Sequence, residues 1–392
     1  MRTQLLTLLL FTTLSNSFSQ GAWTPKAPYA GLAVKDAAFF SIGNKAYVVT
    51  GGTSSQVLQD MWEYDQAGNS WSQCASFPGT GRAAGAGFSI GAKGYVTTGA
   101  DFSNSYADLW EWDQAGNAWV QKANFPGTAR SGAIAFSIGT KAYVGLGSDG
   151  TALGDLYEWS QASNTWAAKT AFPGWRFQPT AFTIGTKGYV GLGSNTGQTV
   201  FFNDLWEYDP ATDAWTQKAN FGGTARYLAK GFSIGSKGYI GTGFDGMNVK
   251  KDFWEWDQPS NTWTQKPNVG GSSRFSAVAF SMNGKGYIGL GGNAPSWFSD
   301  LWEYDPTAAG IEEAGHPAFV VNLFPNPVST AVRISADINT VDAMVSVYDA
   351  GGSVVLRTAF RDELLVSCLP AGTYFLRVDC KQGSVVKKFI KE

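Results

Sequence analysis

Along most of the chain the apolar residues fall in short runs that alternate with polar ones and are parted by Gly, Asn and Ser, the pattern of brief β-strands joined by tight turns. The clearest stretch is Arg82 to Trp119. It holds a strand of small residues ending at Phe88 (strand a), an alternating strand around Tyr95 that stops at Gly99 (b), a variable loop, the aromatic-rich Leu109-Trp110-Glu111-Trp112-Asp113 (c), the turn Gln114-Ala115-Gly116-Asn117, and a strand carrying Trp119 (d). The same text recurs, with the strand-a phenylalanine at Phe40, Phe88, Phe136, Phe182, Phe232 and Phe280, at spacings of 48, 48, 46, 50 and 48 residues. A fixed period of that size predicts an array of one supersecondary unit, each copy unable to bury its apolar face alone. Small side chains in strand a suit a crowded hub where innermost strands converge.

Four strands at this period resemble the kelch repeat, one blade of a β-propeller. The Tyr of strand b, the aromatic of strand c and the Trp of strand d recur throughout, but the kelch pair of glycines closing strand b survives only at Gly51-Gly52 and Gly291-Gly292. Two ends of the array are unequal. Ala22-Trp23-Thr24-Pro25-Lys26 is a strand d with nothing before it, and the last unit stops at Leu301-Trp302-Glu303-Tyr304-Asp305 without a Trp strand. Pairing the orphan with the gap closes the ring and leaves no bare inner edge. The expected fold is therefore all-β: a six-bladed kelch-like propeller over residues 20–306, closed by its N-terminal strand.

Residues 1–19 begin with Arg2, run through the apolar Leu5 to Leu14 and end in the small Ser17 and Ser19, which reads as a secretory signal peptide too short to span a bilayer. No other stretch has the length and hydropathy of a membrane span. After a small, acidic linker at 307–316, residues 317–392 lose the repeat and show seven short β-rich runs, the pattern of a small β-sandwich. This tail resembles the C-terminal sorting domain of the type IX secretion system, on Leu323-Phe324-Pro325-Asn326-Pro327, Val345-Ser346-Val347-Tyr348-Asp349, Leu369-Pro370-Ala371-Gly372-Thr373-Tyr374-Phe375 and the closing Lys387-Lys388-Phe389-Ile390-Lys391. The resemblance implies an address read by outer-membrane export machinery, often cleaved on release or anchoring, and a protein that is secreted or held on the outer cell surface.

A net charge of -2 with 15% charged residues gives no basic surface for nucleic acid. Three cysteines, one in the propeller and two in the tail, form no disulfide framework. The only histidine, His316, lies in the linker, which removes histidine-based metal clusters and a Ser-His-Asp arrangement from the propeller. No cofactor or metal is expected, and a monomer is.

Antiparallel strand order brings the d-to-a connections and the b-to-c loops to one face. The a-to-b turns of the other face are nearly uniform, whereas the b-to-c loops differ in every blade, and variable loops on a rigid ring are where recognition is usually built. Arg82, Arg130, Arg176, Arg226 and Arg274 stand at the start of strand a on the variable face, where five guanidiniums would attract carboxylates, sulfates or phosphates. The competing reading pairs each with an acid that precedes strand c: Asp108, Asp155, Asp204, Asp252 or Asp300. Trp175 and Trp297 fall outside the repeat and offer planes for stacking on sugar rings, against the plainer role of covering neighbouring loops. These residues make the expected ligand site. The function expected is an exported binding module for a glycan or acidic polymer, with protein adhesion, or a metal-independent sugar-acid epimerase or mutarotase using Asp36, Asp149 or Asp245, as alternatives.

Overall fold

The computed structural model describes residues 21–308, 321–336, 343–349, 353–380 and 383–392. The expected signal peptide and most of the linker lie outside them. The chain forms two compact units, residues 1–308 and 309–392, and among the described residues every regular element is a strand.

In the first unit the described residues build six four-stranded antiparallel sheets. Five are consecutive in sequence, and the sixth takes Ala22–Lys26 as its outer strand, paired with Leu301–Asp305 in the register Ala22↔Asp305 to Lys26↔Leu301. The orphan Trp strand thus fills the gap at the other end of the array. Strand a is shorter than the sequence suggests: in the second blade it spans Ala86–Ile90, so Arg82 stands in the connection before it.

Three hydrogen-bonded circuits tie neighbouring blades, and each explains a residue of the repeat. At the rim, every strand-d indole N–H donates to a carbonyl at the end of the preceding strand d, as in Trp119 to Ala75 (3.0 Å) and Trp166 to Ala123 (2.8 Å). Trp23 donates to Pro267 and Trp71 to Ala27, each at 3.0 Å, so this circuit runs through the N-terminal strand. Nearer the hub, the first glycine after strand b serves two partners. Gly99 N–H donates to the Arg130 carbonyl of the next blade (2.8 Å), while its own carbonyl accepts from Tyr106 N–H at the end of the loop (2.9 Å). That glycine holds φ between 66° and 104° in all six blades, a conformation that favours Gly. The residue after it has no such φ, which is why Ala100, Ser148, Ser194 and Phe244 can replace the second kelch glycine.

The innermost circuit encircles the central channel. Asp36, Ala84, Gly132, Gln178, Leu228 and Ser276 all have φ from 52° to 64°. Each backbone N–H donates to the carbonyl of the equivalent residue one blade back, at 2.7 to 3.3 Å, and Asp36 closes the circle on Ser276.

Blades pack through rings. The strand-a phenylalanine lies on the strand-b residue of the following blade, so that a Cβ at Gly94 would overlap Phe40, and one at Gly188 would overlap Phe136. Gly94→Ala is expected to cost about 1–3 kcal/mol by forcing the Phe40 ring from its site. A lowered urea midpoint at unchanged slope would show it; an unshifted midpoint would mean that the interface yields.

In the second unit, three strands (Val321–Phe324, Ala331–Ala336 and Glu363–Leu365) and four others (Val354–Ala359, Met344–Tyr348, Gly372–Cys380 and Gly383–Lys391) make two sheets. Val332, Val345, Val347, Val366, Leu376 and Phe389 are fully buried in their shared core. No disulfide joins Cys368 and Cys380.

Candidate functional site

The loop-bearing face is built on the connections that precede strand a and those that follow strand b. Its arginines do not face solvent. Arg82, Arg130, Arg226 and Arg274 are 0–1% exposed and Arg176 is 4% exposed. In place of a ligand cradle they form clamps at the base of the loops. Arg82 donates from Nε to the Thr80 carbonyl (3.0 Å), from Nη1 to the Thr98 carbonyl (3.0 Å) and through both Nη atoms to Asp108, with Nη2 to Oδ2 at 2.9 Å. One side chain thereby joins the d-to-a connection, the end of strand b and the start of strand c. Arg130 with Asp155, Arg226 with Asp252 and Arg274 with Asp300 repeat the two-pronged pairing.

This corrects the expectation that the five guanidiniums meet a ligand. The physical reason is desolvation: a buried guanidinium is tolerated only where carboxylate and carbonyl oxygens replace its water, and the acid at the start of strand c supplies them. Aromatic loop residues complete the enclosure. Tyr106 lies 4.2 Å from the Arg82 guanidinium, Phe202 3.6 Å from that of Arg176, and Phe298 5.1 Å from that of Arg274.

Arg176 is the imperfect clamp. Its connection runs Phe172-Pro173-Gly174-Trp175-Arg176, one residue shorter than Phe125-Pro126-Gly127-Thr128-Ala129-Arg130. The Thr or Ser carbonyl that receives Nε in the other four blades is missing from the short loop, and only Nη2 reaches Asp204, at 2.5 Å. Arg176 Nε and Asp204 Oδ1 are left buried without partners. Desolvation lowers the Arg176 pKa, with Asp204 opposing the shift.

Burial pushes the Asp252 and Asp300 carboxyls up, but hydrogen bonds and charge from Arg226 and Arg274, with the Trp254 and Trp302 indoles, outweigh it and hold both below the ordinary carboxylate range. A carboxylate with a depressed folded pKa stabilises fully above its unfolded value and loses that contribution as pH falls through the folded one. The Asp252 and Asp300 clamps should therefore weaken below about pH 4. Limited proteolysis of the loops across that range is the check. A profile left unchanged by Arg226→Met/Asp252→Leu would assign the acid sensitivity elsewhere.

Trp297 is half-buried rather than offered to solvent. It sits in a hairpin of Gly292–Asn293 and Ser296–Trp297, edge-on to Phe275 at 5.9 Å, with Lys35 Nζ 5.0 Å from its ring centroid. Trp175, in contrast, is 70% exposed. The exposed large apolar residues described in the propeller are Leu32, Phe102, Val120, Trp175, Val200 and Met247, and all but Val120 belong to connections of this one face. Val200 and Met247 carry no sequence signal beyond lying in variable b-to-c loops, and Leu32 none beyond lying in a d-to-a connection.

The central channel encloses about 90 Å³ between the innermost strands. Sites for drug-sized ligands run to roughly 300–1,000 Å³, so this space is small beside them. Of the off-pattern carboxylates, Asp149 and Asp245 bind backbone N–H groups of their own loops, Thr151 and Asn248 among them, and Asp245 pairs with Lys250 at 2.5 Å. Asp36 lines the channel, as does Lys230, which the sequence reading passed over. No group of three or more metal-ligating side chains occurs among the described residues.

Comparison with known proteins agrees with this architecture. A family model for the kelch motif matches residues 34–78, and one for the secretion system C-terminal sorting domain matches residues 322–392. A solved structure titled "Structure of YjhT" is similar to 70% of this chain and 95% of that one, at 16% identity and a TM-score of 0.60, a likeness of fold. A comparison with curated proteins finds no match. No helix among the described residues is long and apolar enough to cross a membrane. The chain carries a kelch motif within a propeller fold and ends in a secretion system C-terminal sorting domain, which directs its export by the type IX route to the cell surface or the extracellular space.

Proposed function

We propose that the propeller is an exported binding module that holds an extracellular glycan on the tips of its variable loops. The observation that carries this reading is the placement of Leu32, Phe102, Trp175, Val200 and Met247, exposed by 49% to 86%, on a single face. Exposed rings stack on the apolar faces of sugars, and Trp175 and Phe102 supply two. With the arginines enclosed, the preference for acidic polymers loses its cations. Asp101 and Asp149 add negative charge to the same face while Asp245 is offset by Lys250, so an uncharged saccharide suits this face better. The sorting domain serves export, not recognition.

The test is binding of the full chain to a glycan array, beside Trp175→Ala and, as a control on an outer strand, Val120→Ala. Trp175→Ala is expected to weaken binding to neutral glycans about ten-fold or more, since an aromatic stacking contact contributes on the order of 0.5–1.5 kcal/mol beyond the area it buries. Val120→Ala should bind as the parent does. Absence of any glycan signal from a folded protein would overturn the reading and leave adhesion to a protein partner through the same loops.

A further inference from the structure

Just inside the channel mouth, two charged side chains break the repeat. At the first position of strand a the blades carry Ala38, Ala86, Ile134, Thr180 and Val278, but the fifth carries Lys230. In the innermost backbone circle Ala84, Gly132, Gln178, Leu228 and Ser276 are joined by Asp36 of the first blade. Both charges line the same space, whose walls are otherwise small and mostly apolar. Asp36 Oδ1 is buried without a hydrogen-bond partner. Lys230 enters no ion pair with a described residue, and its Nζ lies 5.8 Å from the Phe39 ring centroid. The walls desolvate the ammonium and lower its pKa, while the charge of Asp36 raises it, so the two groups sense each other across the channel.

We propose that the channel mouth binds a small zwitterion, an α-amino acid of the size of glycine or alanine, with its carboxylate on Lys230 and its ammonium on Asp36. Both residues are half-buried, charges withdrawn from water without a hydrogen-bond or ion-pair partner are costly, and one ligand carrying both opposite charges relieves both at once. Size agrees. An enclosed cavity of about 150 Å³ accommodates the six heavy atoms of benzene, so 90 Å³ encloses about four, and the opening to solvent leaves room for the remainder of so small a ligand. Asp36 is also held in place before any ligand arrives, its N–H on the Ser276 carbonyl (3.1 Å) and its carbonyl taking the Ala84 N–H (2.7 Å). The site is independent of the loop-tip reading, because it shares no residue with the exposed tips.

The test is saturation-transfer NMR on the full chain with glycine, glycolate, acetate and methylammonium as separate probes. Glycine should bind best, and Lys230→Ile and Asp36→Asn should each weaken it about ten-fold or more, the scale of losing a charged hydrogen bond. Lys230→Ile installs the residue of the third blade at this position, so the fold has a precedent for it. Trp175→Ala should leave glycine binding unchanged, which separates this site from the outer face. No glycine signal, equal binding of acetate and glycine, or glycine binding insensitive to both substitutions would overturn the proposal.

Discussion

Arg130→Ala is expected to destabilise the propeller by about 3–5 kcal/mol, the loss that follows when one member of a buried ion pair is removed and the other stays. The substitution strands Asp155 and withdraws donors from the Thr128 and Leu146 carbonyls, now met at 2.8 and 3.1 Å. Arg176→Ala should cost distinctly less, because its Nε and Asp204 Oδ1 already lack partners. Replacing both members of a pair, as in Arg130→Met/Asp155→Leu, should recover most of the loss, since apolar groups of like volume need no solvating oxygens. Urea unfolding of the four proteins tests the order. An Arg130→Ala protein as stable as the parent, but unable to bind ligand, would return the arginines to the recognition role that their position in the sequence suggests.

Deleting residues 21–28 should have the other large effect, because it opens the ring. Leu301–Asp305 would lose its ladder and become a bare edge. The Trp23 ring would no longer meet Phe253 and Tyr304 (4.9 and 5.2 Å), Lys26 would leave Glu303 (3.0 Å), and Trp71 and Asn69 would lose their bonds to Ala27. Loss of the tryptophan alone is worth about 3–5 kcal/mol. At about 2–4 °C per kcal/mol for a domain of this order of size, the melting temperature should fall by about 10 °C or more. Calorimetry of the deletion protein, alone and with a synthetic peptide of residues 20–30, is the measurement. Restoration by the peptide would show that the missing strand is the cause; an unchanged melting temperature without it would mean that the ring does not depend on this closure.

Much of the architecture is local and therefore legible in the chain. The period-two pattern, the Asn and Gly of the turns and the repeated Trp each act within a few residues, and the structure finds them as strands, as left-handed turn residues such as Asn117 (φ 46°), and as rim indoles. Even the closure was readable, because one surplus strand and one missing strand are facts of counting. The second kelch glycine is instructive in the other direction. Its replacement at Ala100, Ser148, Ser194 and Phe244 looks like decay of the motif, yet only the first glycine needs a positive φ.

The candidate site was much less legible. Arginine and aspartate series with the same period fit a ligand cradle and an internal clamp equally well in sequence, since the period says that they are equivalent, not where they point. Trp175 and Trp297 both stand outside the repeat, but only packing separates the exposed ring from the one between Phe275 and Lys35. Lys230 is marked in the chain only as a cation where other blades carry small, apolar or hydroxyl residues; that it shares a channel with Asp36, almost two hundred residues earlier, is a property of the closed ring. By itself the sequence determined the blades, their closure and the export signal, because those follow from short-range alternation and counting. The tertiary structure decided which charges are enclosed and which side chains remain for a ligand, because burial is set by contacts between blades that no single repeat contains.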